Sequence, residues 1–247
     1  MDFTSERHLT NGLTERRFTA GDTHGILWMP PSAATPVPLI LMGQPGGIGL
    51  ERMYPRLAAR AHSSAERGFA ALCIEMPGAG GRSPLPGVEQ ARVELRRAIS
   101  AGQQPPADVT DRLILPLVEQ AVPEWQYTLD QALALPELGP GVGFSGGVIA
   151  IAIHLLTVEP RIAAAGLFAG SYVPRRIMDE APLVTIPLHV LLQWDDEAND
   201  RAMALELFDA FGSAEKTLYA NMGGHTGVPA FAGEDAARFF ARHLGAG

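Results

Sequence analysis

The sequence predicts an α/β protein in one domain, with a mostly parallel central sheet and helices on both faces. Three observations point there. From about Gly25 to the end, short apolar runs alternate with longer segments of mixed polarity. One apolar run leads into a glycine-rich turn, Gly143-Phe144-Ser145-Gly146-Gly147, and the apolar stretch Val148 to Leu156 follows as a buried helix would. No internal repeat or low-complexity linker divides the 247 residues, so 1–247 reads as a single domain.

The strand candidates are Ile26 to Met29, Leu39 to Met42, Ala70 to Glu75, Gly141 to Phe144, Ile162 to Phe168, Leu188 to Gln193 and Thr217 to Ala220. Helices are expected over Arg52 to Arg67, Glu124 to Ala134, Gly147 to Leu156, Arg201 to Phe211 and Glu234 to His243. Residues 84–123 depart from the alternation. They are rich in proline and glutamine at the edges, with helix-like pieces at Val88 to Ser100 and Asp108 to Ala121. Their length exceeds a simple crossover, so a small helical lid or flap insertion is expected, with a plain surface excursion as the other reading.

Composition narrows the function classes. A net charge of -8 disfavours nucleic acid and anionic membranes, which reward clustered Lys and Arg. The N-terminus has no apolar leader and no run reaches 18 apolar residues, so a cytoplasmic location is the expectation. The lone cysteine, Cys73, lies within a strand-like run and is expected as buried filler. No two histidines share helix spacing and there is no cysteine cluster, so no metal is expected. Gly43 to Gly49 and Gly78 to Gly81 follow strands, but neither reads as G-x-G-x-x-G opening a helix, so no nucleotide cofactor is expected either.

Residues 143–147 fit G-x-S-x-G, in which a tight strand-to-helix turn exposes a serine hydroxyl above the sheet. Ser145 is thus the candidate nucleophile. A serine needs a base to take its proton, and His225, in a glycine-rich loop after the strand ending at Ala220, is the candidate. His154 and His189 lie in apolar periodic segments and read as core or boundary residues. The base needs an orienting carboxylate, and Trp194-Asp195-Asp196-Glu197 supplies acids beyond a strand end. Asp196 is preferred, with Asp195 its competitor. Oxyanion donors are expected from the backbone N–H groups of Gly146 and of Gly46, since Pro45 has none.

These residues resemble the α/β-hydrolase superfamily, particularly its dienelactone-hydrolase-like and small serine-esterase branches, from about Gly25 onward. Met42-Gly43-Gln44-Pro45-Gly46-Gly47 resembles the family's His-Gly-Gly oxyanion turn, with Gln44 in place of histidine. Glu75 to Ser83 resembles the Asp-x-Pro-Gly-x-Gly-x-Ser segment, and Gln193 to Glu197 resembles the acid loop, with Trp194 where glycine is usual. Dienelactone hydrolases proper use a cysteine where this chain has Ser145, so their substrate does not transfer. The short connection from Phe168 to Leu188 leaves no room for a large cap. The resemblance implies an α/β-hydrolase fold and a cofactor-independent hydrolase of a carboxylic ester or thioester, with a small acyl substrate and an acyl-enzyme on Ser145. Transfer of the acyl group to another acceptor, cyclisation, or a catalytically silent ligand-binding protein are the alternatives. A homodimer is left open.

Overall fold

The computed structural model describes residues 1–9, 12–31 and 36–245. Nine strands form one sheet: β1 (Asp2–His8), β2 (Thr14–Ala20), β3 (Thr23–Met29), β4 (Val37–Gly43), β5 (Ala70–Ile74), β6 (Leu138–Gly146), β7 (Ile162–Phe168), β8 (Leu188–Gln193) and β9 (Lys216–Asn221). Their spatial order is β1-β2-β3-β5-β4-β6-β7-β8-β9. The first three strands and the β3–β5 pair run antiparallel, and every pairing from β5 to β9 is parallel.

Side chains alternate across the sheet, because successive Cβ atoms in a strand point to opposite faces. Leu39, Leu41, Leu72, Val142 and Phe144 pack beneath α3 (Ala107–Leu133) and α4 (Ile149–Val158). Ile40, Met42, Ala71 and Cys73 face the other way, under α1 (Leu50–Ala65) and α7 (Ala230–Leu244). Helices thus cover both faces, and the parallel strands direct their carboxyl ends to one edge, where ligands bind in open α/β sheets.

All seven expected strands are present, and two more precede them. β1 is exposed along its whole length, and β2 reads Thr-Glu-Arg-Arg-Phe-Thr-Ala, so neither carries the apolar alternation by which strands are recognised. β2 is held partly by polar contacts. Glu15, 1% exposed, accepts hydrogen bonds from Trp28 Nε1 at 2.9 Å and Tyr54 Oη at 2.6 Å, and pairs with Arg7 at 2.7 Å.

The segment 84–123 resolves into α2 (Val88–Ser100) and the first part of α3. The two segments expected separately, Asp108 to Ala121 and Glu124 to Ala134, are joined in one helix. α3 runs for 27 residues through Pro116 and Pro123, because Leu117, Val118, Ala121, Val122, Trp125 and Leu129 form one continuous stripe in the main core. That tertiary burial outweighs the hydrogen bonds the two prolines cannot make. α2 packs on α3 through Val88, Ala91, Val109 and Leu113, with Arg92 reaching Gly47. The shorter helices α5 (Arg175–Met178) and α6 (Arg201–Ala210) flank β8, and no helix among the described residues is long and apolar enough to cross a membrane.

Candidate active site

The loops following β8 and β9 bring a carboxylate and an imidazole together. His225 Nδ1 donates to Asp196 Oδ2 at 2.7 Å. The Asp196 side chain is 7% exposed and that of His225 73%, so a buried carboxylate holds an imidazole whose other nitrogen remains accessible. Asp196 Oδ1 also accepts from the Ala198 amide at 2.9 Å. Its neighbour Asp195 does something different. The Asp195 carboxylate accepts from the amides of Gly223 and Gly224, at 2.9 Å each, and these bonds hold its pKa below the usual aspartate value. Gln193 Nε2 donates to Gly224 O at 2.8 Å, and the Gly227 amide to Gly223 O at 3.1 Å. The His225 loop is therefore tied at its base by one aspartate while the next orients its ring. Gly223, at φ 136° with the Gly227 carbonyl over its Cα, leaves no room for a side chain.

Ser145 is not at the turn. It remains within β6, aligned with Met42 of β4 and Gly166 of β7, and the turn into α4 is made by Gly146 (φ 74°) and Gly147 (φ 83°), with Val148 capping the helix. Gly147 rather than the serine packs against the glutamine-containing turn: a Cβ there would stand 2.8 Å from Gly43 Cα and 3.1 Å from Gln44 N. Ser145 Oγ instead accepts from Arg60 Nη2 at 3.2 Å, and no hydrogen bond joins it to His225. The physical reason for the departure is local. A pair of glycines after Ser145 can take both left-handed conformations without steric cost, which spares the serine a conformation it resists.

The candidate oxyanion residues also separate. Gly46 lies in the turn after β4, beneath Leu117 of α3 and Val148, and its amide makes no hydrogen bond to any described residue. Gly146 stands on the last rung of the sheet, opposite Gly43. Gln44 is buried and donates from Nε2 to Ile74 O at 3.0 Å, and its Oε1 has no hydrogen-bond partner among the described residues. The segment resembling Asp-x-Pro-Gly folds back onto α1, where buried Glu75 accepts from the Leu50 amide at 3.0 Å. Trp194 is exposed under the Arg201 guanidinium, 4.3 Å from its ring centroid.

Arg60 was not anticipated from the motifs. It donates from Nη1 to Gly43 O at 3.0 Å and from Nη2 to Ser145 O at 2.7 Å, clamping the ends of β4 and β6 together. Burial lowers its pKa from the ordinary value, against a weaker opposing effect of Cys73. A signal was present: Met53, Leu57 and Ala61 mark the buried face of α1, and an arginine at position 60 falls on it. The other histidines sit elsewhere. His154 pairs with Glu180 at 2.7 Å, and buried His189 stacks on Tyr219 and Phe239. No group of three His, Cys, Asp or Glu side chains among the described residues is placed to hold a metal.

A mostly parallel nine-stranded sheet with helices on both faces is the architecture of the α/β-hydrolase fold. No protein-family model and no curated protein sequence matches the chain. Among solved structures it is similar to a cold-adapted esterase from an Arctic intertidal metagenomic library, with a TM-score of 0.75 at 23% identity over 99% of this chain and 100% of that one. It is also similar to an acetyl xylan esterase from Paenibacillus sp. R4, with a TM-score of 0.64 at 16% identity over 98% and 88% of the two chains. A dienelactone hydrolase from Anabaena variabilis gives a TM-score of 0.60 at 17% identity over 97% and 98%. At these identities the likeness is one of fold.

Proposed function

We propose that the protein hydrolyses an ester-type bond of a small acyl substrate at the carboxyl edge of its sheet, with His225 as the proton-transfer group and Asp196 as the carboxylate that orients it. The hydrogen bond of 2.7 Å between them carries the reading. With Nδ1–H committed to the carboxylate, the lone pair on Nε2 is left to accept a proton, and the carboxylate stabilises the imidazolium that forms. Esterases among the fold neighbours support the bond type.

The geometry favours water as the attacking group. Nε2 takes a proton from water as its oxygen bonds to the carbonyl carbon. The oxyanion accepts from the Gly46 amide. The C–O bond then breaks and His225 returns the proton to the leaving alkoxide. Water is favoured because glycines occupy the turn where a nucleophile would stand, and the Ser145 hydroxyl is engaged by Arg60. A second reading keeps the acyl-enzyme on Ser145, with Gly146 as a further oxyanion donor. The G-x-S-x-G match and the chain order Ser, Asp, His support it.

The test follows p-nitrophenyl esters of increasing acyl length, with intact mass recorded during turnover. His225→Ala is expected to lose about two to four orders of magnitude in kcat. On the water route Ser145→Ala keeps turnover within about tenfold, since it removes no proton-transfer group, and no adduct forms. Loss of turnover in Ser145→Ala together with an acyl adduct on the wild-type serine would establish the second reading. Wild-type protein inert toward every ester would sink the proposal.

A further inference from the structure

On the α1–α7 side of β6 lies a cavity of about 120 Å³, distinct from the Asp196–His225 pair. Arg60, Ser63 and Ser64 of α1 line one wall and Ser145 part of the floor. The remaining floor is apolar, from Met42, Phe69 and Phe240, and the facing wall is the small-residue stripe of α7, including Gly233 and Ala236. Arg60 is the only ionisable side chain in the lining. Among the described residues no carboxylate forms an ion pair with it.

The hydrogen bonds leave this guanidinium incompletely used. Of its five N–H donors, Nη1 supplies one bond to Gly43 O, and Nη2 supplies bonds to Ser145 O and Ser145 Oγ. The Nε–H and the second hydrogen of Nη1 make none to any described residue. Because Ser145 Oγ accepts from Arg60, its own proton is free to donate. Arg60 is partly buried, and an anion that collects its spare N–H donors and the Ser145 O–H would give the guanidinium a counter-ion.

We infer that this cavity is a binding site for a short-chain aliphatic carboxylate, its head on Arg60 Nε–H and the Ser145 hydroxyl and its tail on Met42, Phe69 and Phe240. A single cation matches a monoanion, and the apolar floor favours an alkyl tail over a fully hydrated ion such as sulfate. On this assignment the serine of the G-x-S-x-G motif is a ligand-binding group, bound non-covalently and apart from the His225 chemistry.

Calorimetric titration of the full chain with sodium butyrate, at constant ionic strength and with no ester present, tests the assignment independently of any hydrolysis. Saturable binding to one site is expected, with the neutral isostere butyramide at least about tenfold weaker, as loss of a charge-assisted hydrogen bond implies. Arg60→Met should weaken butyrate by a similar factor. Since Arg60 also clamps two strand ends, Ala236→Leu provides a second variant: it fills the cavity from α7 with a strong helix former and leaves Arg60 in place. It too should abolish binding. Absence of saturable butyrate binding to the wild type, or undiminished binding by Ala236→Leu, would overturn the site. Sulfate binding as tightly as butyrate would overturn its assignment to a carboxylate with an alkyl tail.

Discussion

Asp195 and Asp196 show how adjacent residues of one type come to hold unlike tasks. Their peptide groups sit one step apart beyond β8, so one carboxylate meets the His225 ring while the other meets the amides of Gly223 and Gly224. Asp195→Ala should leave the Asp196–His225 bond chemically intact but release the loop that carries it; if His225 acts as proposed, kcat/KM toward p-nitrophenyl esters falls by about tenfold. Acid should act on the same tether in a defined direction. The Asp195 pKa is held below its ordinary value of 3.8 by the bonds its ionised form accepts, so the tether's contribution is present above that value. It is lost as pH falls through the lower, folded pKa. The Gly223 and Gly224 amide resonances, followed by NMR, should therefore titrate below pH 3.8. A midpoint at or above 3.8 would mean that Asp195 does not hold the loop.

At the scale of elements, β6 and α4 meet in a turn whose close fit depends on Gly147. Alanine there would need φ near 83° and a Cβ 2.8 Å from Gly43 Cα, against backbone that cannot swing aside. Gly147→Ala should cost about 2 kcal/mol or more, read as a lowered urea midpoint at unchanged m. β2 depends on a different device. Glu15 joins the antiparallel edge to β3 and α1 through Trp28 and Tyr54, and its removal leaves a buried indole N–H without an acceptor. Glu15→Ala is expected to cost about 2–3 kcal/mol, with Trp28 emission reporting the transition. An unchanged midpoint would place the strength of that edge in Phe18 and Ala20 instead.

For the molecule as a whole, the two apolar layers on either side of the sheet enclose Cys73 completely. Burial pushes its thiol up to about 12 from the ordinary 9.0. The folded protein should not react with a thiol reagent at neutral to mildly alkaline pH, and labelling should follow global unfolding, since β5 lies near the centre of the sheet. The sign for stability follows. The contribution of this group is full below pH 9.0, where both states carry the proton, and it falls as pH rises toward 12, because only the unfolded chain then loses it. Labelling of native protein as fast as of denatured protein would contradict the enclosed position.

The sequence by itself determined the α/β class, the seven strands from β3 onward and the residues that form the Asp–His pair. Those features are written in short-range patterns: apolar runs of strand length, helical periodicity, and acids and a histidine just beyond strand ends. Tertiary structure alone decided four others. β1 and β2 exist because neighbouring strands and Arg–Glu contacts supply what their polar sequences lack. α3 crosses two prolines because its buried stripe is continuous against the sheet. Arg60 became a clamp and a cavity wall through backbone carbonyls distant in sequence. Ser145 belongs to the same group: a motif specifies which residues are adjacent, whereas the position of the turn among them depends on which left-handed conformations glycine makes inexpensive and on what the neighbouring strands pair with.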